Sequence, residues 1–169
     1  YALLTNQRKW SDVEPKLVDI DRLFFNYDEA KILTYPGEYF EKGIRQLRCG
    51  NISIKSQMAN LNANIFMLIK IEEDYGSLDD YVVSKAPDVI VKELSSGIYK
   101  LNGIGPALAW EYLRNVGIDG AKPDTHLKRF MGSKRMGVSD NIEASDEEVL
   151  DEVKRLSAIT GLSRFDIDY

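Results

Sequence analysis

An all-α fold is what this sequence predicts, and three observations carry the prediction. Apolar residues recur at helical spacing through most of the chain, glycines and prolines punctuate these runs where helix ends belong, and strand-like alternation is scarce. The clearest run is 60–75, where Ile65, Leu68 and Ile69 are spaced i, i+3, i+4 and Gly76 occupies the C-terminal cap position. Ser77 then caps a turn from Leu78 to Val83, with Asp80 three residues on as an imperfect capping box. Pro87 opens a helix over 88–95 with Val89, Ile90 and Leu94 on one face, and Ser95-Ser96-Gly97 closes it. Pro106 begins the next, whose stripe of Leu108, Ala109, Tyr112, Leu113 and Val116 runs to Gly117. Ser145, followed by Asp146-Glu147-Glu148, starts an amphipathic helix through Ile159 that Gly161 stops; its first-turn acids lie where the helix dipole favours them. Only Asn51-Ile52-Ser53-Ile54 alternates, and after a Cys-Gly turn these four residues read equally as an extended loop.

Length and composition bound the possibilities. A chain of 169 residues, 44% apolar and 29% charged, suits one domain, or two small lobes sharing a core, and we read 1–169 as a single helical domain. No apolar run approaches the ~18 residues of a transmembrane helix. The single cysteine, Cys49, excludes an internal disulfide and a four-cysteine zinc or iron–sulfur site within the chain. A lone thiol suits a reducing cytoplasm, the expected location, with association to the nucleoid if the source is bacterial. A net charge of −5 argues against a purely electrostatic nucleic-acid binder while leaving room for a local basic face. The chain starts at Tyr1 in apolar helical phase and stops at Tyr169 without a cap, so we expect a piece trimmed at both ends.

The most informative stretch is 99–106, Tyr-Lys-Leu-Asn-Gly-Ile-Gly-Pro, between two helical runs. Gly103 and Gly105 permit positive φ and leave the backbone unscreened, so N–H groups of the turn and of the following helix start form an anion site. Such a site grips a phosphate without reading a base. Leu101 and Ile104 pin the turn to the core. The plain alternative is a tight helix–helix corner with glycines present for packing.

Seventeen residues past Gly105 the segment 122–130, Lys-Pro-Asp-Thr-His-Leu-Lys-Arg-Phe, begins to shift that balance. Together with the 62–76 helix, the Leu-Asn-Gly-Ile-Gly-Pro-Ala-Leu-Ala hairpin and this turn resemble the helix-hairpin-helix–Gly/Pro–Asp (HhH-GPD) superfamily of DNA glycosylases, nearest to its endonuclease III-like branch. The resemblance covers roughly residues 37–131, and more weakly the helices at 145–169. It implies a DNA base-excision N-glycosylase acting on a flipped base in double-stranded DNA as a monomer. It places the catalytic carboxylate on Asp124, which stabilises the oxocarbenium-like deoxyribose as the base departs and orients a water. Its phosphate contacts fall on Gly103, Ile104, Gly105, Ala107, Lys122, Lys128 and Arg129. Asp124 is also a good N-cap for the helix that follows, and the two roles are compatible.

Departures from the family pattern are specific. Members that also cleave the strand carry a lysine nucleophile two residues after the second hairpin glycine; here that position is Ala107, so the implied chemistry is monofunctional. The iron–sulfur cluster of many endonuclease III-like proteins has no ligands in this chain, and no cofactor is required. The family hairpin often holds a monovalent cation on main-chain carbonyls, here those of Tyr99, Leu101 and Ile104, which implies a structural Na+ or K+. The wedge and much of the base pocket come from helices before the region that Tyr1 begins, so the damaged base is not named by this sequence.

Other residues read more plainly. His126, the one histidine, is a helix residue near the phosphate backbone or a domain seam; Trp110 and Tyr112 pack in a core; Cys49 is inert. Tyr35 to Phe40 offers aromatics on a turn, read as a staple into the next helix rather than a base pocket. Between 121 and 136 stand five bases (Lys122, Lys128, Arg129, Lys134, Arg135) against Asp124 alone, whereas 137–152 holds seven acids and no base. The basic block is read as a DNA face; a second set, Lys42, Arg45, Arg48 and Lys55, is read as solvated surface. Two other functions stay open: a non-catalytic DNA-binding hairpin module, and a protein-interaction scaffold that docks through the acidic block.

Overall fold

The computed structural model describes residues 2–5 and 9–168. Tyr1 and Tyr169, the two ends of the chain, lie outside them. The described residues are helical, with no strand among them. In order they form α1 (Ala2–Thr5), α2 (Trp10–Val13), α3 (Leu17–Leu23), α4 (Glu29–Leu33), α5 (Gly37–Gln46), α6 (Ile54–Ala59) and α7 (Leu61–Tyr75). These are followed by α8 (Leu78–Val83), α9 (Pro87–Ser95), α10 (Pro106–Asn115), α11 (Thr125–Met131), α12 (Asp146–Thr160) and α13 (Arg164–Asp168). The chain divides into two compact units, one made of residues 1–81 and 93–104, the other of 82–92 and 105–169.

The first unit is built on an aliphatic and aromatic core. Val13, Ile20, Ile32, Phe40, Ile44, Ile54 and Ile65 are buried together, with Cys49 fully enclosed among them. Phe40 lies at its aromatic centre: Phe24 stacks on it at 4.9 Å between centroids, and Tyr39 meets it edge-on at 5.2 Å. Of the 35–40 aromatics Tyr35 and Tyr39 face solvent and Phe40 is 0% exposed, and Tyr35 meets Phe40 edge-on at 6.4 Å between centroids, the staple into the helix that the sequence suggests. Pro36 is an N-cap and Gly37 already belongs to α5, so helical phase turns Phe40 inward. Gly37 also lets α5 meet α6 backbone to backbone, since a Cβ there would stand 2.1 Å from the Met58 carbonyl oxygen. The alternating stretch 51–54 forms no strand. Asn51 Oδ1 accepts the Ser53 N–H at 2.8 Å, and the turn so closed delivers Ile54 as the first residue of α6.

A second feature of this unit is a cluster of tyrosine rings. Tyr75, Tyr81 and Tyr99 meet edge-to-face at centroid distances of 5.0 to 6.0 Å. The Tyr81 hydroxyl donates to Glu93 Oε2 at 3.1 Å and that of Tyr99 to Asp74 Oδ2 at 2.8 Å. Burial beside Glu93 pushes the Tyr81 phenol far above its ordinary range, and the bond to Asp74 does the same for Tyr99.

In the second unit Ala121, Met131, Ala144, Val149 and Val153 are buried together, which packs α12 against α11 and the loop between them. Trp110, 3% exposed, lies against Gly120, confirming its core role. The α12 start is the capping box its sequence announces: Ser145 Oγ accepts the Glu148 N–H at 3.2 Å, and Glu148 Oε2 accepts the Ser145 N–H at 2.7 Å.

Candidate active site

The predicted hairpin lies where α9 gives way to α10, and the division between the units falls between Ile104 and Gly105. Gly103 has φ +80°, a conformation that a side chain would strain. Gly105 has the extended values φ −93° and ψ 178° as N-cap of α10, and a Cβ there would meet nothing within 4 Å. Neither backbone conformation nor packing therefore requires glycine at position 105. The N–H groups of Gly103, Gly105 and Ala107 have no acceptor among the described residues, whereas that of Ile104 donates to the Leu101 carbonyl at 3.1 Å. Three of the four predicted phosphate donors are available, and Ile104 is spent on closing the turn.

What holds the first half of the hairpin was not legible beforehand. Asn64, on α7, accepts the Asn102 N–H on Oδ1 at 2.7 Å and donates from Nδ2 to the Asn102 carbonyl at 3.0 Å. This two-way amide clasp supplements the half-buried side chains of Leu101 and Ile104. Carbonyls suited to the implied monovalent cation need to be free of other donors. Those of Tyr99 and Ile104 accept nothing from the described residues and meet this requirement, whereas that of Leu101 is taken by the Ile104 N–H. Among the described residues no group of His, Cys, Asp and Glu side chains stands ready to hold a metal.

Asp124 is the N-cap of α11. Its Oδ1 accepts two backbone N–H groups, from His126 at 2.8 Å and Leu127 at 3.0 Å. Its Oδ2 has no hydrogen-bond partner among the described residues. One oxygen thus fixes the carboxylate and the other stays unengaged; Asp124 lines a cavity of about 420 Å3 with His126, Leu127, Phe130, Arg135 and Asp168. The backbone bears the same stamp: Asp124 N–H donates to the Lys122 carbonyl at 2.7 Å, a tight turn around buried Pro123. Asp168, from α13, shares the cavity; burial raises its carboxyl above the ordinary Asp range, against the pull of the Lys122 N–H and Arg114.

The basic block is paired rather than bare. Lys122 Nζ lies 3.4 Å from Glu111, Arg129 Nε donates to Glu143 at 2.7 Å, and Lys128 pairs with Asp146. Two of these acids come from the seven-acid stretch, so the sharp contrast of charge along the sequence closes into local pairs in space. Lys134 and Arg135 are exposed and have no carboxylate partner among the described residues. The pair on Arg129 is exposed and contributes little to stability, so a phosphate can replace its carboxylate at small net cost.

The chain matches no family model, no curated protein and no solved structure.

Proposed function

We propose that this chain carries the helix-hairpin-helix and catalytic-aspartate elements of a monofunctional DNA N-glycosylase. The observation that carries the reading is the half-engaged carboxylate of Asp124. A group that must stabilise a developing cation has to be rigid, aimed and unsatisfied on the side facing the reaction. Two backbone N–H groups hold Oδ1, while Oδ2 is left for the deoxyribose cation and the attacking water. The unengaged N–H groups of Gly103, Gly105 and Ala107 support a phosphate grip on duplex DNA. A Na+ or K+ on the carbonyls of the hairpin would add positive charge beside that phosphate. With Ala107 where a lyase carries its amine, water is the nucleophile and the product is an intact abasic site. The deciding experiment combines gel-shift with alkali-revealed abasic sites on a panel of damaged and mispaired duplexes. Binding with abasic product supports the enzyme, and the absence of product on every duplex overturns it.

A second reading, a non-catalytic DNA-binding module, draws on the same Asp124 contacts, which are also those of a helix cap. In the panel it gives binding without product.

Two mutational tests separate the contributions to binding. Gly105→Val is expected to weaken affinity for all duplex sequences alike without unfolding the protein, because its φ and ψ suit any residue and its Cβ meets nothing. Gly103→Val should weaken binding too, with backbone strain added by its φ of +80°. Unchanged affinity in a folded Gly105→Val protein removes the hairpin from the interface. In Lys128→Ala with Arg129→Ala, the slope of log K against log salt should fall by up to about one unit for each phosphate that these two side chains neutralise. Because both side chains are ion-paired in the free protein, an unmoved slope means that they stay with Asp146 and Glu143.

A further inference from the structure

The Lys122-Pro123-Asp124 turn is irregular chain between α10 and α11, yet it presents the one carboxylate on which the proposed chemistry depends. Something outside the turn must hold it. The Lys122 N–H donates to Asp168 Oδ2 at 3.0 Å, and the same oxygen accepts from Arg114 Nη1 at 2.5 Å. Both charged side chains are largely buried, 9% exposed for Asp168 and 13% for Arg114. Arg114 in turn lies 4.0 Å from Glu111, whose Oε2 is 3.4 Å from Lys122 Nζ. Two carboxylates and two cations thus close a ring that joins α10, α13 and the turn, all within the second unit.

The members of this ring are seated by more than charge. The guanidinium of Arg114 lies over the Phe165 ring at 4.5 Å, and its buried Nε has no hydrogen-bond partner. The Phe165 N–H donates to Asp119 Oδ1 at 3.1 Å, which ties the start of α13 to the loop leading into the turn. Leaving a buried guanidinium nitrogen unsatisfied is costly, and the arrangement persists because the surrounding interactions over-determine it. From Asp168 Oδ2 the path runs through the Lys122 peptide to its carbonyl, which accepts the Asp124 N–H at 2.7 Å.

We propose that Asp168 is a positioning residue for Asp124, fixing the 122–124 turn through the Lys122 N–H so that the Asp124 carboxylate is held in its cap geometry with Oδ2 unengaged. The proposal rests on the reading of Asp124 given above. A misplacement of about 1 Å at a reacting group is enough to lower a rate about 100-fold, so this support acts on the chemical step rather than on DNA affinity.

The test uses the full chain and two kinds of readout. In single-turnover excision, Asp168→Leu should lower the rate by about 10- to 100-fold while Kd for the damaged duplex stays within about twofold. Asp168→Asn, which keeps an amide oxygen for the Lys122 N–H, should recover most of that loss. Equal losses in rate and affinity, or a folded Leu variant with the parent rate, overturn the proposal. The second readout needs no activity: by hydrogen exchange the Lys122 amide should be protected in the parent protein although it lies outside any helix, and protection should survive in Asp168→Asn. An unprotected Lys122 amide in the parent overturns the proposal even if the Leu variant fails to fold. Absence of excision by the parent protein instead overturns the glycosylase reading, and the exchange measurement still decides whether Asp168 holds the turn.

Discussion

Asp124→Asn is expected to fold, to bind damaged duplex at least as tightly as the parent protein, and to lose excision by about 100- to 1,000-fold or more. The fold survives because Asn caps a helix about as well as Asp, and its amide oxygen accepts the same His126 and Leu127 N–H groups that Oδ1 accepts now. Affinity is kept or improved because a negative charge is removed from the neighbourhood of phosphates. Excision falls because a neutral amide cannot balance the charge that builds on the sugar as the base departs. The parent protein should leave abasic sites that break only on alkali treatment, and borohydride should trap no covalent adduct, since Ala107 offers no amine. Parent-like excision by the Asn variant would discard the catalytic assignment, and a trapped adduct would point to another lysine, first of all Lys122.

Phe40→Ala is expected to cost about 3–5 kcal/mol of stability, the range for emptying a fully buried aromatic site. Against a typical total of about 5–15 kcal/mol, that loss takes the first unit close to its unfolding threshold. The side chain has no solvent exposure and packs its ring against those of Phe24, Phe25, Tyr35 and Tyr39, so its removal strips a partner from four rings at once. Urea unfolding read by circular dichroism gives the value directly; a loss below about 1 kcal/mol would mean that the surrounding rings collapse into the space.

How much of this was written in the sequence varies with distance along the chain. Helices whose ends carry their own signals were legible: α7 ends at Gly76, α9 and α10 open on Pro87 and Pro106, and α12 starts on the Ser145–Glu148 box. These are local rules, acting over three or four residues. The segment 51–54 stayed open between strand and loop because Ile52 and Ile54 alternate with polar residues, and the Asn51–Ser53 bond, together with 85% exposure of Ile52, shows a turn. At the candidate site the pattern repeats. Asp124 as a cap was legible, since its partners lie two and three residues away. Its support from Asp168, 46 residues on from Lys122, was not, because no spacing rule reaches across that interval. The basic block was legible as composition and opaque as electrostatics: nothing in a one-dimensional count reveals that Glu111, Glu143 and Asp146 return to face Lys122, Arg129 and Lys128.

The tyrosine cluster has a consequence for how the molecule is made. Tyr75 and Tyr81 belong to the first stretch of their unit, but Tyr99 and the Glu93 that receives the Tyr81 hydroxyl belong to its second, separated by residues 82–92 of the other unit. A ribosome that has released the chain as far as Tyr81 has therefore not yet supplied the parts that complete that unit. At the usual pace of synthesis, about 5–20 residues each second, the nascent chain waits on the order of a second for its missing ring and carboxylate. The same interleaving bears on inheritance: a break between Tyr81 and Val82 would leave the second unit whole but part the first from its residues 93–104.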